Sequence, residues 1–217
     1  RERYLRGRQR FASREAPLVE VEDQEHVYYS KGMMAMYTLR DMLGEVAVNT
    51  ALRRFYEKHA NSGPPYPTSP DLIAELRAVT PDSLQHLVTD LFETITLYDV
   101  KTDSIAATQV GDQWRVTIDV SARKLRADSI GNETEIPMND LMEIGVFDES
   151  VGDEQGLFGK TLYHARHRIA TGKHRIVVSF PASLGKPTRG GIDPYGKLID
   201  RNDRIIPQFD AQASRTP

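Results

Sequence analysis

A chain of 217 residues with a formal net charge of −3, 39% hydrophobic and 27% charged residues, has the composition of a folded chain and not of a disordered one. The near balance of charge excludes a global attraction to nucleic acid or an anionic membrane, and the absence of cysteine excludes a disulfide framework or a thiolate metal site. No apolar run approaches the roughly 20 residues of a membrane-spanning helix, and no secretory signal is visible.

The chain begins Arg1-Glu2-Arg3-Tyr4 and not with methionine, which fits a piece of a longer protein. Residues 1–14 carry Arg1, Arg3, Arg6, Arg8, Arg10 and Arg14, interleaved with Tyr4, Leu5 and Phe11. This reads as an exposed helix with a thin apolar edge in preference to a nucleic-acid arm, because no second basic patch or aromatic platform follows. Residues 15–27 form an acidic connector, broken at Pro17. Glu20, Glu22, Asp23 and Glu25 lie near His26 with no metal-ligand spacing, so a solvated loop is expected there.

Two helices follow. The first runs from Tyr28-Tyr29-Ser30-Lys31-Gly32 to Leu43, with Gly32, Ala35, Met36, Leu39 and Leu43 on one face and Gly44 as its stop. Gly32 and Ala35 are small enough to admit another backbone near the helix start. The second runs from Glu45 to about Ala60, with Val46, Val48, Leu52, Phe55 and Tyr56 as apolar positions. Asn61 to Pro67 cannot be helical. Ser69-Pro70-Asp71 and Thr80-Pro81-Asp82 then repeat one helix-start pattern: hydroxyl cap, proline, acid. These predict a short helix to about Ala78 and another to about Thr94, with Leu84, Leu87, Val88, Leu91 and Phe92 inward.

After Tyr98 the apolar period falls from 3.6 to 2. Alternation over 114–120, 142–147, 162–169 and 176–180, with a turn at Thr171-Gly172-Lys173-His174, predicts an antiparallel β-sandwich. Gly190-Gly191-Ile192-Asp193-Pro194-Tyr195 reads as a turn followed by a short strand. The fold class is therefore α+β in two modules: residues 1–99 helical, 103–206 a β-sandwich, and 207–217 a flexible tail.

Tyr29-Ser30-Lys31-Gly32, the apolar helix behind it with Leu39-Arg40 and Leu43-Gly44, and Leu52-Arg53-Arg54-Phe55 in the next helix resemble the zinc aminopeptidases of the aminopeptidase N type. Asp90-Leu91-Phe92-Glu93-Thr94-Ile95 falls where that family has a Phe-Phe-x-x-Trp-like segment, here without the tryptophan. Pro64-Pro65-Tyr66-Pro67-Thr68-Ser69, Leu91 to Asp99, and Gly191-Ile192-Asp193-Pro194-Tyr195-Gly196-Lys197-Leu198-Ile199-Asp200-Arg201 are more similar to a bacterial branch fused behind an ABC transporter permease. Together these stretches span most of residues 4–206.

The resemblance implies that residues 1–99 end a thermolysin-like catalytic domain and that the sandwich is the scaffold module behind it. In the family, a His-Glu-x-x-His helix and a later glutamate bind zinc, and the motif glutamate is the general base. That motif is absent here. His164-Ala165-Arg166-His167 has another spacing, lies in an expected strand and reads as structural. The resemblance thus implies zinc in the intact parent, with ligands upstream of Arg1, and none in this chain.

Tyr29 matches the family's transition-state tyrosine, a neutral O–H donor for the oxyanion that forms during peptide hydrolysis. From the residues alone, Tyr29 reads as an aromatic at a helix start with an ordinary hydrogen bond, and Tyr28 competes with it one residue away. Lys31 reads as a helix-start charge and Gly32 as a packing site.

The expected function is peptide-bond hydrolysis at peptide N-termini by the parent, the isolated chain being inactive. The alternative is a catalytically inactive interaction or gating module of the permease. Expected partners are the upstream zinc-binding half, a peptide substrate and the attached permease, with no nucleic acid. The expected location is a soluble domain of a membrane-anchored bacterial protein.

Overall fold

The computed structural model describes residues 1–10, 14–148, 159–202 and 207–209. Phe11, assigned above to an apolar edge, and residues 210–217 of the expected tail lie outside the described residues, as do 149–158 and 203–206 of the expected sandwich. The fold is α+β, with helices first and antiparallel sheets after them. Among the described residues, no helix is long and apolar enough to cross a membrane. The chain divides into two compact units, one of Arg1–Leu97, Leu125–Thr134 and Lys197–Ile199, the other of Tyr98–Lys124, Glu135–Gly196 and Asp200–Pro217.

In the first unit, helix α1 is Glu2–Arg10, α2 Gly32–Leu43, α3 Glu45–His59, α4 Ser69–Ala78 and α5 Gln85–Val88. Wide π-type turns over His26–Lys31 and Thr89–Glu93 precede α2 and follow α5. Gly44 separates α2 from α3 at φ 86°, a backbone conformation that favours glycine. The buried cluster joins Ala35 and Leu39 of α2, Val48 and Ala51 of α3, Ile73 and Leu76 of α4, and Leu87, Val88, Leu91 and Phe92. Burying each of the larger side chains contributes about 1.5–3 kcal/mol.

Several expectations are corrected here. α3 turns Val48 and Ala51 inward, while Val46 is 82%, Tyr56 70% and Leu52 38% exposed; Val46, two residues before Val48, lies on the opposite face of the helix. The cap of α4 is Thr68, not Ser69: the Asp71 carboxylate accepts the Thr68 backbone N–H at 2.7 Å.

The helix expected from Thr80 to Thr94 is broken into a 3₁₀ turn over Asp82–Leu84, α5, and the π-type turn. Thr80 donates its hydroxyl to the Leu76 carbonyl at 2.7 Å and caps nothing downstream. Arg77 holds the broken segment in place. It donates to the Gln85 side chain (2.8 Å), the Thr89 hydroxyl (2.8 Å) and both carboxylate oxygens of Glu93 (3.2 and 2.5 Å).

α1 keeps the exposed face expected of it, with Glu2, Arg3, Arg6, Gln9 and Arg10 in water, and its thin apolar edge is packed. Tyr4 is fully buried, and a Cβ on Gly7 would lie 2.4 Å from His26, so that edge packs closely on the His26–Lys31 turn. The close approach sits at Gly7 and not at Gly32, where an added Cβ would meet only ordinary contacts at 3.6 Å or beyond. The connector is irregular only up to Glu25 and is neither extended nor wholly solvated as expected: residues 18–20 form a turn, Leu18 and Val19 pack against the helical core, and His26 and Val27 belong to the π-type turn.

In the second unit, strands β1 (Ile95–Val110), β2 (Gln113–Ala127) and β3 (Glu133–Ile136) form a sheet in that order, with β6 (Gly172–Pro181) also pairing with β2. Strands β4 (Asn139–Phe147), β5 (Thr161–Ala170) and β7 (Arg189–Ile192) form the other sheet, in the order β5-β4-β7. Trp114 faces Phe180, Val116 faces Val178 and Ile118 faces Ile176 across β2 and β6. The ends of β1 and β2 lie in the first unit.

Strand β1 was not anticipated as an element. Its first residues are buried on both faces and its later ones are largely exposed, so no alternation marks it. Near Gly190, strand β7 runs before the Asp193–Gly196 turn and not after it. Within the sandwich, Asp140 accepts from Lys124 Nζ and the Tyr98 hydroxyl, each at 2.8 Å, so three buried polar groups satisfy one another.

A Cβ on Gly190 would sit 2.8 Å from the Gly145 carbonyl oxygen and 2.8 Å from Ile105 Cδ1. Gly190→Ala is therefore expected to cost about 1–3 kcal/mol in urea unfolding. Gly63→Ala, where a Cβ meets nothing within 4 Å, should stay within about 0.5 kcal/mol of the parent. Equal stabilities for the two variants would contradict the packing described for β7.

Candidate functional site

The segment His26–Lys31 has two sides. Val27 and Lys31 are fully buried, whereas Tyr28 is 40% and Tyr29 66% exposed. Burial two residues before and two residues after Tyr29 fixes the backbone on either side of an outward ring. The Tyr28 and Tyr29 rings lie 4.7 Å apart at an interplanar angle of 54°. Among the described residues the Tyr29 hydroxyl has no hydrogen-bond partner, so it remains available to an incoming acceptor.

The exposed surface continues along α2. Met33 is 65% and Tyr37 44% exposed, and Tyr29, Met33 and Tyr37 follow at i, i+4 and i+8. The Arg40 guanidinium covers the Tyr37 ring at 5.7 Å. A contiguous row of large apolar side chains in water is characteristic of an interaction or ligand surface. That four-residue spacing could have been read from the sequence, yet the reading above assigned only the opposite face of α2.

Beneath the tyrosines lies Lys31, which is not the helix-start surface charge expected. Its Nζ donates to the Thr94 carbonyl at 3.0 Å and sits 5.8 Å from the centre of the Tyr4 ring. Tyr4 donates its hydroxyl to Glu15, which also accepts from Arg8 Nε at 2.5 Å, and Arg8 approaches Glu133 at 3.6 Å. Burial pulls the Lys31 amine down to about 8, helped by the nearby Arg8 and Arg126 guanidiniums and opposed by Glu15. Burial, followed by the Glu15 charge, pushes the Tyr4 phenol far above its ordinary range. Beyond the exposed row, the C-terminal half of α2 is covered at Thr38, which donates to the Lys197 carbonyl at 2.6 Å, and at Asp41, which accepts from Lys197 Nζ at 2.8 Å.

The other chemistry-bearing groups do not converge on Tyr29. His26 stacks on Tyr4. His164 Nε2 lies 3.4 Å from a Glu143 oxygen, and His167 shares a 2.8 Å hydrogen bond with Tyr163. Burial lowers the His167 pKa, which favours the neutral ring. Gly190 to Tyr195 belongs to a packed corner: the Asp193 N–H donates to the Glu143 carbonyl at 2.8 Å and the Tyr195 ring meets His164 edge-on. Among the described residues, no group of three or more His, Asp or Glu side chains could hold a metal ion, so the donor set present does not fit a zinc site. Compared with known proteins, the chain matches no family model and no curated relative.

The Lys31 and Tyr4 shifts predict how stability depends on pH. Lys31 has an ordinary value of 10.5 and is lowered to about 8 in the fold, so between these values the unfolded chain binds a proton that the folded chain does not. Stability therefore rises with pH above about 8. Tyr4, raised in the fold from an ordinary 10.0, acts in the opposite sense, and its contribution is lost above about pH 10. Urea unfolding at constant ionic strength should show a gain on the order of 1–2 kcal/mol from pH 8 to 10 and a decline beyond. Lys31→Met should abolish the rise and leave the decline. A flat parent profile from pH 8 to 10 would refute the assignment.

Proposed function

We propose that the chain is the C-terminal part of an aminopeptidase N-like zinc metallopeptidase region, of the bacterial kind joined to an ABC transporter permease. In this reading Tyr29 is the oxyanion donor for hydrolysis of peptides at their N-terminus. The observation that carries it is the presentation of Tyr29. The residue of the Tyr-x-Lys-Gly motif that the chemistry requires is also the ring held outward between two fully buried neighbours, with an uncommitted hydroxyl.

Attack of water on a peptide carbonyl converts the carbonyl oxygen to an oxyanion. A phenolic O–H aimed at that oxygen forms a stronger hydrogen bond as charge develops, so it lowers the barrier more than it strengthens substrate binding. The phenol suits the task because its O–H is a neutral donor, able to meet a developing negative charge without bringing a full positive one. Met33 and Tyr37 beside it offer apolar surface to a peptide or to the zinc-bearing half of the catalytic domain. Zinc and its ligands belong, in this reading, to the parent outside the present chain, and the isolated chain is inactive. The sandwich is scaffold, and the membrane anchor belongs to the attached permease.

The second reading is a peptidase-like module that has lost its chemistry and serves as an interaction or gating surface for the permease. The exposed row Tyr29, Met33 and Tyr37 favours it, since a docking face needs apolar area and no donor geometry.

In a zinc-bearing parent, Tyr29→Phe is expected to lower kcat about 10²–10³-fold with KM nearly unchanged, as for loss of one oxyanion donor. Tyr28→Phe should change kcat less than about threefold. An unaltered kcat for Tyr29→Phe rejects the donor role. A parent without peptidase activity, but with permease binding weakened by Tyr29→Ser and Met33→Ser, decides for the second reading.

A further inference from the structure

Lys31 is a long charged side chain with no exposure, placed two residues from the most exposed ring of its segment. Its Nζ bonds the Thr94 carbonyl, immediately after the Thr89–Glu93 turn. This part-buried hydrogen bond therefore links the first wide turn to the residue that ends the second, across 63 residues of sequence. Wide i→i+5 turns are rare and depart from the regular i→i−4 hydrogen bonding of an α-helix. The charged and polar groups around the ammonium come from several elements: the neutral Tyr4 phenol and Arg8 of α1, Glu15 of the connector, and Arg126 of β2, which is paired with Asp90 at 2.9 Å, while His26 of the same turn stacks on Tyr4. Glu133, in turn, faces Arg8.

We infer that Lys31 is a positioning residue for Tyr29: its ammonium, bonded to the Thr94 carbonyl beside the Tyr4 ring, holds the His26–Lys31 turn in the form that directs the Tyr28–Tyr29 pair outward. A charged donor makes a hydrogen bond roughly twice as strong as a neutral one, and a cation beside an aromatic face adds to it. Loss of the proton removes the charge from both contacts together and so changes the setting of the segment that carries both tyrosines. The catalytic consequence rests on the reading of Tyr29 as the oxyanion donor, but the positioning itself does not.

The test uses this chain with ring-labelled tyrosine, the Tyr28 and Tyr29 NMR signals being assigned through Tyr28→Phe and Tyr29→Phe. Between pH 6.5 and 9.5 both signals should move with an inflection near 8, the value at which Lys31 loses its proton. Lys31→Met should show no such inflection. Glu15→Gln, which removes the one carboxylate that favours the charged amine, should move the inflection to lower pH.

Parent signals without an inflection between pH 7 and 9, or an inflection retained in Lys31→Met, would overturn the proposal. If Lys31→Met does not fold, the parent and Glu15→Gln titrations decide between the same outcomes. Ring signals that follow Lys31 while Tyr29→Phe leaves kcat intact in a zinc-bearing parent would keep the positioning and discard the catalytic reading. A fall in kcat for Tyr29→Phe with ring signals indifferent to Lys31 would do the reverse.

Discussion

A lysine ammonium withdrawn from water is the constraint around which the helical unit is arranged. Taking an unpaired charge out of water costs several kcal/mol even after relaxation, so the surroundings of Lys31 have to be built to offset it. The Thr94 carbonyl supplies an acceptor, the Tyr4 ring a polarisable face, and Glu15 a compensating negative charge. Each of these comes from a different stretch of chain. Placing all of them sets where α1, the connector, α2 and the start of β1 lie relative to one another inside this unit.

That arrangement explains why α1 is not a free basic arm. Arg8 is drawn inward to Glu15 and Glu133, its side chain left with 14% exposure, while Arg3 and Arg6 remain in water at 81% and 73%. The exposed pairs contribute little. The inner pair matters because breaking it would strand a buried carboxylate beside the Tyr4 hydroxyl. A residue count of arginines, without their burial, cannot separate these two kinds.

The parts of the fold legible in the sequence were those governed by local rules. The α2–α3 hairpin, its Gly44 break and the end of α4 follow from periodicity and glycine conformation, and β2, β4, β5 and β6 from alternation. What escaped was set by distant partners. Strand β1 lacks alternation because its first residues, Ile95 to Tyr98, are buried on both sides. The break in the helix after Thr80 depends on Arg77, whose guanidinium takes up the side chains of Gln85, Thr89 and Glu93. At the site, Tyr29 came from a motif resemblance, whereas the burial of Lys31 is invisible to periodicity, since it is decided by a carbonyl contributed from Thr94. Tyr37 and Met33 were readable from their spacing with Tyr29, but helix patterning directs attention to the buried face.

The closure of α2 by Lys197 bears on how the molecule is made. Residues Lys197–Ile199 belong to the compact unit that begins at Arg1, and their contacts with Thr38 and Asp41 span 159 and 156 residues of chain. During synthesis the helices emerge first, at about 5–20 residues per second, yet the segment that seals them arrives last. For roughly ten seconds or more at those rates, the nascent helical unit waits with one side of α2 uncovered, in reach of chaperones or of another nascent copy. Completion of this module therefore waits on a lysine made 156 positions after its partner Asp41.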